Sequence, residues 1–252
     1  MSLKDKVVLV TGGSSGMGAA IAEKFTSKGA KVAIVGRNAK KLQEVSAKNG
    51  NKPHIIVADL VNDEDVKRIV SETISHYGQL DVLVNNAGFN NIVSFLAENA
   101  MDTFDQIMLT NLRSAVLLTN IAAPHLIKTK GNVVNISSIS ALRPYSVTGF
   151  SYDTSKAALE HFTRCIALEL GPKGVRVNAV SPGPVKSDLV GSMGISAEEA
   201  QLIYESVKKG TLLDKVADPE EVADLVYYLA SDKARSVTGA SFVIDNGAHL
   251  NS

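Results

Sequence analysis

A tyrosine and a lysine, Tyr152 and Lys156, stand four residues apart in the helical run YDTSKAALEHFTRCIALEL. Residues at this spacing project from one face of a helix, so the phenol and the ammonium group lie side by side. A phenol has a reference pKa of about 10, and a cation at about 4 Å contributes roughly 4 kcal/mol, or about three pKa units, at an effective dielectric near 20. The pair therefore predicts a proton donor with a pKa near neutrality. The alternative is a packed ring beside a solvated ammonium group, which is the commoner use of such a pair.

A serine and an asparagine could complete this chemistry. Ser138 ends the run NVVNISS, at a sheet edge where its hydroxyl could polarise a carbonyl group, and Ser137 and Ser140 are rival candidates. Capping or turn hydrogen bonds are the ordinary role of all three serines. Asn111 interrupts an apolar helical run. Because a buried amide needs hydrogen-bond partners, Asn111 predicts a local distortion, a water site or both.

A glycine-rich turn, TGGSSGMG at residues 11–18, lies between the apolar run KVVLVTG and the helical run AAIAEKFTSKG. Glycines let the backbone approach a pyrophosphate closely, and free N–H groups at a helix N-terminus bind its charge. A P-loop is excluded because no Gly-Lys-Ser/Thr follows. The turn predicts a dinucleotide site, and the alternative is a tight turn without a ligand.

The end of the second apolar run predicts which dinucleotide binds. A site for NAD usually places an acid there to accept from the ribose 2′-OH, whereas this sequence has Gly36-Arg37-Asn38. A guanidinium can form a paired contact with a 2′-phosphate, and Ser14 and Asn38 could add neutral donors. We therefore expect NADP(H) in preference to NAD(H); the alternative is a solvated arginine in a loop.

Short Val/Ile-rich runs alternate with helix-length segments and must position these residues. The runs are KVVLVTG, KVAIVGR, HIIVADL, DVLVNNAG, NVVNISS, VRVNAVSPG and SFVIDNG. They are apolar on successive residues, so both faces of the sheet must be covered, as in βαβ winding. The pattern predicts a single α/β domain over residues 1–252, with a doubly wound, Rossmann-like parallel sheet. Residues 187–213 interrupt this rhythm with three glycines around a helical piece, which predicts a substrate lid.

Composition excludes several classes of protein. The chain has 252 residues, of which 45% are hydrophobic and 21% charged, so a mainly disordered protein is excluded. Lys plus Arg and Asp plus Glu both number 26, so no global field attracts nucleic acid or an anionic membrane. No stretch of about 18 apolar residues and no signal peptide pattern is present, so we expect no membrane span and a cytoplasmic protein.

The single cysteine and the histidines predict no metal centre. Cys165 cannot form an internal disulfide or a multi-cysteine zinc site, and its setting in HFTRCIALEL indicates a small apolar core residue in a reducing compartment. The histidines are dispersed without metal-ligand spacing at positions 54, 76, 125, 161 and 249.

Taken in order along the chain, these signals resemble the short-chain dehydrogenase/reductase family, in its roughly 250-residue branch. The matching residues are TGGSSGMG, Asp59-Leu60, the NNAG of residues 85–88, Asn111, Ser138, Tyr152-xxx-Lys156 and the PGPV of residues 182–185. The resemblance covers nearly the whole chain. It implies that Tyr152 is the acid/base and that Lys156 lowers its pKa and holds the nicotinamide ribose. It also implies that Ser138 orients the substrate carbonyl and that Asn111 anchors a proton-relay water.

The cofactor site combines the residues read directly with those that the resemblance implies. The turn and the second run supply Gly12, Ser14, Ser15, Gly16, Met17, Gly18, Arg37 and Asn38. The resemblance adds Asp59, Leu60, Asn86, Ala87, Gly88, Tyr152, Lys156, Pro182, Gly183, Val185 and Ser187. Ser187 stands where the family often has Thr, which keeps the hydroxyl.

The leading prediction is an NADP(H)-dependent oxidoreductase that interconverts a hydrophobic ketone or aldehyde and the corresponding alcohol. Expected pocket walls with few charges are Phe89, Phe95, Ile139, Tyr145, Phe150, Leu189 and Met193. One alternative is an enzyme like the 3-oxoacyl-carrier-protein reductases, with a basic docking surface to which Lys128, Lys130 and Lys173 point only weakly. Another is a nucleotide-binding sensor or scaffold without chemistry.

We also expect a homotetramer. The segments 101–127 and 152–170 carry apolar residues around more than one face, which one sheet face cannot cover. The resemblance implies the same, because members of the family commonly pair these two helices across an interface.

Overall fold

Seven strands form one parallel sheet in the computed structural model, which describes residues 3–186 and 197–251. The strands are β1 (Val7–Thr11), β2 (Lys31–Gly36), β3 (His54–Val57), β4 (Val82–Asn85), β5 (Asn132–Ile136), β6 (Arg176–Pro182) and β7 (Ser241–Ile244). Their order is β3-β2-β1-β4-β5-β6-β7. The order reverses between β1 and β4, the place where doubly wound sheets bind ligands. The predicted Rossmann-like fold is confirmed.

Helices cover both faces of the sheet. They are α1 (Gly16–Ser27), α2 (Ala39–Lys48), α3 (Asp63–Tyr77), α4 (Ala100–Met108), α5 (Ser114–Thr129), α6 (Phe150–Leu170), α7 (Ala197–Lys209) and α8 (Pro219–Ala230). Successive residues of β1 face opposite layers: Val8 and Val10 pack with α1, α2 and α8, whereas Val7 and Leu9 pack with α3, α5 and α6. This two-sided burial is why the strands are apolar on successive residues.

The residues just before the predicted lid contact residues that lie shortly after it in the chain. Lys186 N donates to the Ala217 carbonyl at 2.8 Å, and Ala217 N donates to the Pro184 carbonyl at 3.1 Å. Lys186 also forms an ion pair with Asp218, 2.9 Å from nitrogen to oxygen, at the start of α8. The described part of the segment contains α7, and the predicted site residue Ser187 and wall residues Leu189 and Met193 lie outside the described residues.

One prediction about the core is wrong. Cys165 is exposed, whereas the sequence indicated a core position. The buried positions of α6 include Leu159, Thr163, Ala167 and Leu170, which face the sheet. Cys165 lies midway between Thr163 and Ala167 and so points about 200° away from each of them around a helix of 3.6 residues per turn.

None of the helices in the described ranges is sufficiently long and apolar to span a lipid bilayer.

Candidate active site

The turn after β1 requires glycine for two different reasons. Gly12 and Gly16 have φ angles of +66° and +50°, in the left-handed region that favours glycine. Gly18 is required by space, because a Cβ atom there would lie 2.1 Å from the carbonyl oxygen of Gly12. Ser15, at the N-terminus of α1, makes no side-chain capping bond, and no acidic residue lies in the first turn. The helix therefore presents free N–H groups and a positive dipole end to an anion, which fits a pyrophosphate.

A cavity of about 740 Å³ runs from this turn along the carboxyl ends of the strands. It brings together most of the predicted site. The predicted residues that line it are Gly12, Ser14, Ser15, Gly16, Met17, Gly18, Arg37, Asp59, Leu60, Asn86, Ala87, Gly88, Ser138, Tyr152, Pro182, Gly183 and Val185. A nicotinamide dinucleotide fits the donor set, because glycine backbone lies at one end and a phenol and a hydroxyl lie at the other.

Three lining residues escaped the sequence analysis: Ala58, Gln106 and Thr110. Gln106 and Thr110 are four residues apart at the junction of α4 and the next turn, so they share a face. Two polar residues at this spacing, just before Asn111, could have indicated from the sequence that this helix face lines the cavity. Ala58 directly follows β3 and carries no chemical signal in the sequence.

Asn38 does not line the cavity. Its Oδ1 accepts a hydrogen bond of 3.0 Å from Lys41 N and so caps α2. The side-chain amide oxygen of Asn38 therefore has a structural role, as is usual for asparagine at a helix N-terminus. Arg37 is exposed and lines the cavity at the end of β2.

Asn86 holds the glycine-rich turn against β4. Its Nδ2 donates to the Thr11 carbonyl at 2.9 Å, and its backbone N donates to Thr11 Oγ1 at 3.0 Å. Ala87 N donates to the same hydroxyl at 3.1 Å. One threonine thus fixes the two walls of the cavity relative to each other.

The three rival serines have different partners. The Ser138 hydroxyl lies beside the Tyr152 phenol, whose pKa it lowers, and accepts from Ser140 N at 3.1 Å. The Ser140 hydroxyl instead lies beside the Asp153 carboxyl group, whose pKa is raised by burial and lowered by the serine. Ser137 Oγ donates to the Lys156 carbonyl at 3.1 Å. Ser138 is therefore the serine whose hydroxyl contacts the phenol at the cavity wall.

The pKa of Tyr152 differs from the expectation. Burial raises the pKa of the phenol above its ordinary value of 10, the Ser138 hydrogen bond lowers it, and the Asp153 charge raises it further. The predicted shift toward neutrality is thus wrong for the protein without cofactor. The reason lies with Lys156, whose Nζ is 5.6 Å from the centre of the Tyr152 ring and donates to the Ile136 carbonyl at 2.8 Å. At pH 7 the phenol is protonated and can donate.

Asn111 lies in a single π-helical turn, Leu109–Arg113, between α4 and α5. The predicted distortion is confirmed. Its Oδ1 accepts from Phe89 N at 3.0 Å, and its Nδ2 donates to the Phe89 carbonyl at 2.9 Å and to Ser155 Oγ at 3.2 Å. The amide therefore clamps the loop after β4 and does not line the cavity.

Asn111 and Lys156 are nevertheless neighbours behind the cavity wall. A Cβ atom on Gly88 would lie 3.2 Å from Asn111 Oδ1 and 3.4 Å from Lys156 Nζ. Both polar groups thus lie directly beside Gly88, which lines the cavity. The predicted catalytic residues Asn111, Ser138, Tyr152 and Lys156 form one cluster.

Within residues 3–186 and 197–251, no group of three or more His, Cys, Asp or Glu side chains could hold a metal ion.

Known proteins resemble this chain over nearly its whole length. A family model described as enoyl-(acyl carrier protein) reductase matches residues 12–249. The L-fucose dehydrogenase of Bos taurus is 35% identical over 248 residues, which are 97% of this chain and 90% of the relative. The 3-oxoacyl-[acyl-carrier-protein] reductase of Aquifex aeolicus is 34% identical over 252 residues, 98% of each chain. A short-chain dehydrogenase/reductase of unknown function from Caenorhabditis elegans, solved with cofactor, gives a TM-score of 0.91 at 31% identity, covering 99% of this chain and 97% of that one.

Proposed function

The chain belongs to the short-chain dehydrogenase/reductase family, and we propose that it is an NADP(H)-dependent enzyme that interconverts a hydrophobic ketone or aldehyde and the corresponding alcohol. The family makes it an oxidoreductase acting on CH–OH and C=O groups. The observation that carries the proposal is that Tyr152 and Ser138 lie side by side in the wall of the cavity that begins at the glycine-rich turn.

Tyr152 and Ser138 provide the acid/base chemistry. In reduction, the Tyr152 phenol donates its proton to the carbonyl oxygen, while the Ser138 hydroxyl donates a second hydrogen bond to that oxygen. Bound NADPH supplies the hydride that reduces the carbonyl carbon. In oxidation, the Tyr152 phenolate takes the proton of the alcohol, and the hydride passes to the oxidised cofactor. A phenol with a raised pKa is fully protonated at pH 7, which suits it to donate.

Lys156 and Asn111 support this pair from behind the wall. We assign Lys156 to the nicotinamide ribose, because its ammonium group lies beside Gly88 in the cavity lining. Asn111 would hold the proton-relay water in the distorted turn while its amide keeps the Phe89 loop in place. Ser187 keeps its predicted contact with the cofactor as part of the same proposal.

Arg37 supports NADP(H) rather than NAD(H). Arg37 lines the cavity directly after β2, and the residue before it is Gly36 rather than an acid. Ser14 lies beside Gly36, where a Cβ atom would be 3.4 Å from the serine hydroxyl. A cation, a nearby hydroxyl and no carboxylate at residues 36–38 suit a 2′-phosphate.

An aromatic cluster near the start of α6 supports a hydrophobic substrate. Phe95 packs edge-on against Phe150 with ring centres 5.2 Å apart, and Phe150 stacks on Phe104 at 6.2 Å. Phe150 is two residues before Tyr152, and Phe89 lines the cavity directly. One aromatic side chain in the cavity lining and an aromatic cluster close to Tyr152 in the chain favour an apolar carbonyl compound over a sugar.

We further propose a homotetramer. Leu118 is buried within the chain, but Met108, Leu117, Phe162 and Ile166 are only partly buried on α4, α5 and α6. Leu168, also on α6, is 82% exposed. A second copy packed on these helices would cover them. Light scattering that gives a monomer at micromolar concentration would contradict this assembly.

The test is a steady-state screen with NADPH and NADH against three classes of compound: hydrophobic ketones, aldoses and 3-oxoacyl thioesters. We expect turnover of hydrophobic ketones with NADPH, lowered by about two to four orders of magnitude in Tyr152→Phe with cofactor affinity nearly unchanged. Tyr228→Phe is the matched control, because Tyr228 is 41% exposed on α8 and does not line the cavity.

Each other outcome identifies a different function. Preferred turnover of aldoses would overturn the hydrophobic substrate, and preferred turnover of thioesters would indicate an acyl-carrier enzyme. Cofactor binding without turnover of any compound would indicate a nucleotide-binding sensor or scaffold without chemistry.

A further inference from the structure

The last residues of the chain fold back beside the site as a defined unit, which we call the C-terminal segment, residues 245–251. Asp245 anchors it: Oδ1 accepts from Gly247 N at 2.9 Å, and Oδ2 accepts from His249 N at 2.7 Å and lies 2.7 Å from His249 Nδ1. Burial raises the pKa of Asp245, but the bonds from His249 and Gly247 outweigh burial and hold that pKa below its usual range. The anchor is a carboxylate at neutral pH.

The segment packs directly behind the cavity wall. Gly183 N donates to the Ile244 carbonyl at 3.0 Å. A Cβ atom on Gly183 would lie 2.5 Å from the Cβ of Asp245, so the backbones of these two residues lie too close together to admit a side chain at position 183. Gly183 lines the cavity, and a shift of Asp245 therefore moves the wall.

The same segment holds the end of the predicted lid. Leu213 N donates to the Asn246 carbonyl at 3.1 Å. Leu212 packs so closely on Gly247 that a Cβ atom there would lie 2.8 Å from the leucine side chain.

The third contact joins the segment to the catalytic loop, residues 137–149, which carries Ser138. Arg143 Nη2 donates to the carbonyl oxygens of Ala248, at 3.2 Å, and Asn251, at 2.5 Å. Tyr145 covers the guanidinium, with 4.7 Å between the guanidinium carbon and the ring centre. Across the part of the chain that the structure describes, no acidic side chain forms an ion pair with Arg143, so its charge is directed at these carbonyls.

We propose that Arg143 is a positioning residue: through the C-terminal segment it fixes the catalytic loop, and with it Ser138, against the Gly183 wall and the end of the lid. The inference rests on the proposed function only for its kinetic readout. Loops are the mobile parts of a fold, and a catalytic group displaced by about 1 Å can lose about two orders of magnitude in rate. Arg143 supplies the cross-connection that holds Ser138 in register with the rest of the site.

The kinetic test is a double-mutant cycle in the full chain with Arg143→Ala and Asp245→Asn. We expect Arg143→Ala to lower kcat/KM by about 10- to 100-fold, mainly through kcat, and to change the Kd for NADPH less than about threefold. Arg143→Lys should restore part of the loss, because an ammonium group can still donate to a carbonyl. If Arg143 acts through the segment, the double variant should be no worse than the worse single variant.

Arg176 offers a matched control for a structural role. It too donates to two backbone carbonyls, those of Val237 at 3.3 Å and Ser231 at 3.4 Å, but at the amino end of β6, away from the cavity. We expect both Arg143→Ala and Arg176→Ala to lower the Tm, but Arg176→Ala should leave kcat/KM nearly unchanged. The proposal would be overturned if the loss of kcat/KM in the double variant equalled the product of the losses in Arg143→Ala and Asp245→Asn. Equal losses of kcat/KM in Arg143→Ala and Arg176→Ala would overturn it as well.

Amide hydrogen exchange separates this inference from the proposed function. In Arg143→Ala and in Asp245→Asn, exchange should accelerate at residues 138–149 and remain unchanged in β1 and α1. A wild-type protein that turns over no carbonyl compound would refute the proposed function, and the exchange result would still decide the inference. Unchanged exchange in the catalytic loop of both variants would refute the coupling.

Discussion

Lys156 Nζ donates a hydrogen bond of 2.8 Å to the carbonyl oxygen of Ile136, the last residue of β5, and Lys156 is only 4% exposed. No carboxylate forms an ion pair with it among residues 3–186 and 197–251. Burial accordingly lowers the pKa of Lys156 from 10.5 to about 8. The buried ammonium group of Lys156 therefore carries a desolvation cost that its hydrogen bond to Ile136 does not fully offset.

Replacing Lys156 by Met should stabilise the ligand-free protein, and the gain should depend on pH. The folded-state pKa of about 8 lies below the ordinary value of 10.5, so below pH 8 both states are protonated and the cost of the buried charge is fully present. As pH rises from about 8 to 10.5 the folded state loses its proton first, and the cost disappears. The gain in free energy of unfolding should therefore fall by up to about 3 kcal/mol over this interval.

Urea unfolding of the wild type and Lys156→Met at pH 7 and pH 10 measures this change. The exposed Lys28, replaced by Met, provides the control, for which the difference from wild type should be the same at both pH values. A gain from Lys156→Met that does not vary with pH would show that its charge carries no burial cost.

Ser138→Ala should lower kcat by about two orders of magnitude, as the loss of one donor to a developing oxyanion does. Ser140→Ala should cost much less, because the Ser140 hydroxyl lies beside Asp153 rather than Tyr152. The backbone N of residue 140, which the variant keeps, is the group that contacts Ser138. The measurement is kcat for both variants on one ketone. A larger loss in Ser140→Ala would transfer the substrate role from Ser138 to Ser140.

The sheet and the position of the site could be predicted because they depend on patterns that repeat locally. The strands carry apolar side chains on successive residues, as Val7 to Val10 do in β1, and the glycine-rich turn stands directly between β1 and α1. Parallel strands place their carboxyl ends at one edge, so Ser138 after β5 and Asn86 after β4 had to meet the turn.

What escaped prediction depends on the direction of a side chain or on distant neighbours. Asn38 could face a ligand or cap α2, and its position next to Ala39 does not distinguish the two. The spacing of Tyr152 and Lys156 placed them on one helix face, but the Ile136 carbonyl, which draws Lys156 Nζ, is contributed by another strand. The contact of Arg143 with Asn251 spans 108 residues and has no local signature.

Gly18→Ala should abolish cofactor binding, because the new Cβ atom would lie 2.1 Å from the Gly12 carbonyl and force the turn open. Gly16→Ala is the matched control: a Cβ atom there meets nothing within 4 Å, and only its φ of +50° causes strain. Strain of this kind costs about 1 kcal/mol. We expect the Kd for NADPH, measured by calorimetry, to rise at least 100-fold for Gly18→Ala and less than about tenfold for Gly16→Ala. Equal effects would mean that the close approach of Gly18 to the Gly12 carbonyl is not what requires glycine at position 18.

Arg37 should carry most of the preference for NADP(H). A hydrogen bond to a charged group contributes about 1.5 to 3 kcal/mol, which corresponds to roughly a 10- to 150-fold preference. Arg37→Ala should therefore raise the KM for NADPH at least tenfold and change that for NADH little. Because the contact is ionic and Arg37 is exposed, the wild-type preference should shrink as salt rises.

Gly36→Asp tests the same site from the opposite direction. The new Cβ atom would lie 3.4 Å from Ser14, so the carboxylate has room to accept from a ribose 2′-OH and to repel a 2′-phosphate. The variant should favour NADH, and Lys40→Ala, which removes a neighbouring exposed cation, should leave the preference nearly unchanged. The measurement is kcat/KM with each cofactor on one ketone. Equal losses with both cofactors in Arg37→Ala would mean that Arg37 supports the loop rather than contacts the phosphate, and a wild-type preference for NADH would overturn the cofactor assignment.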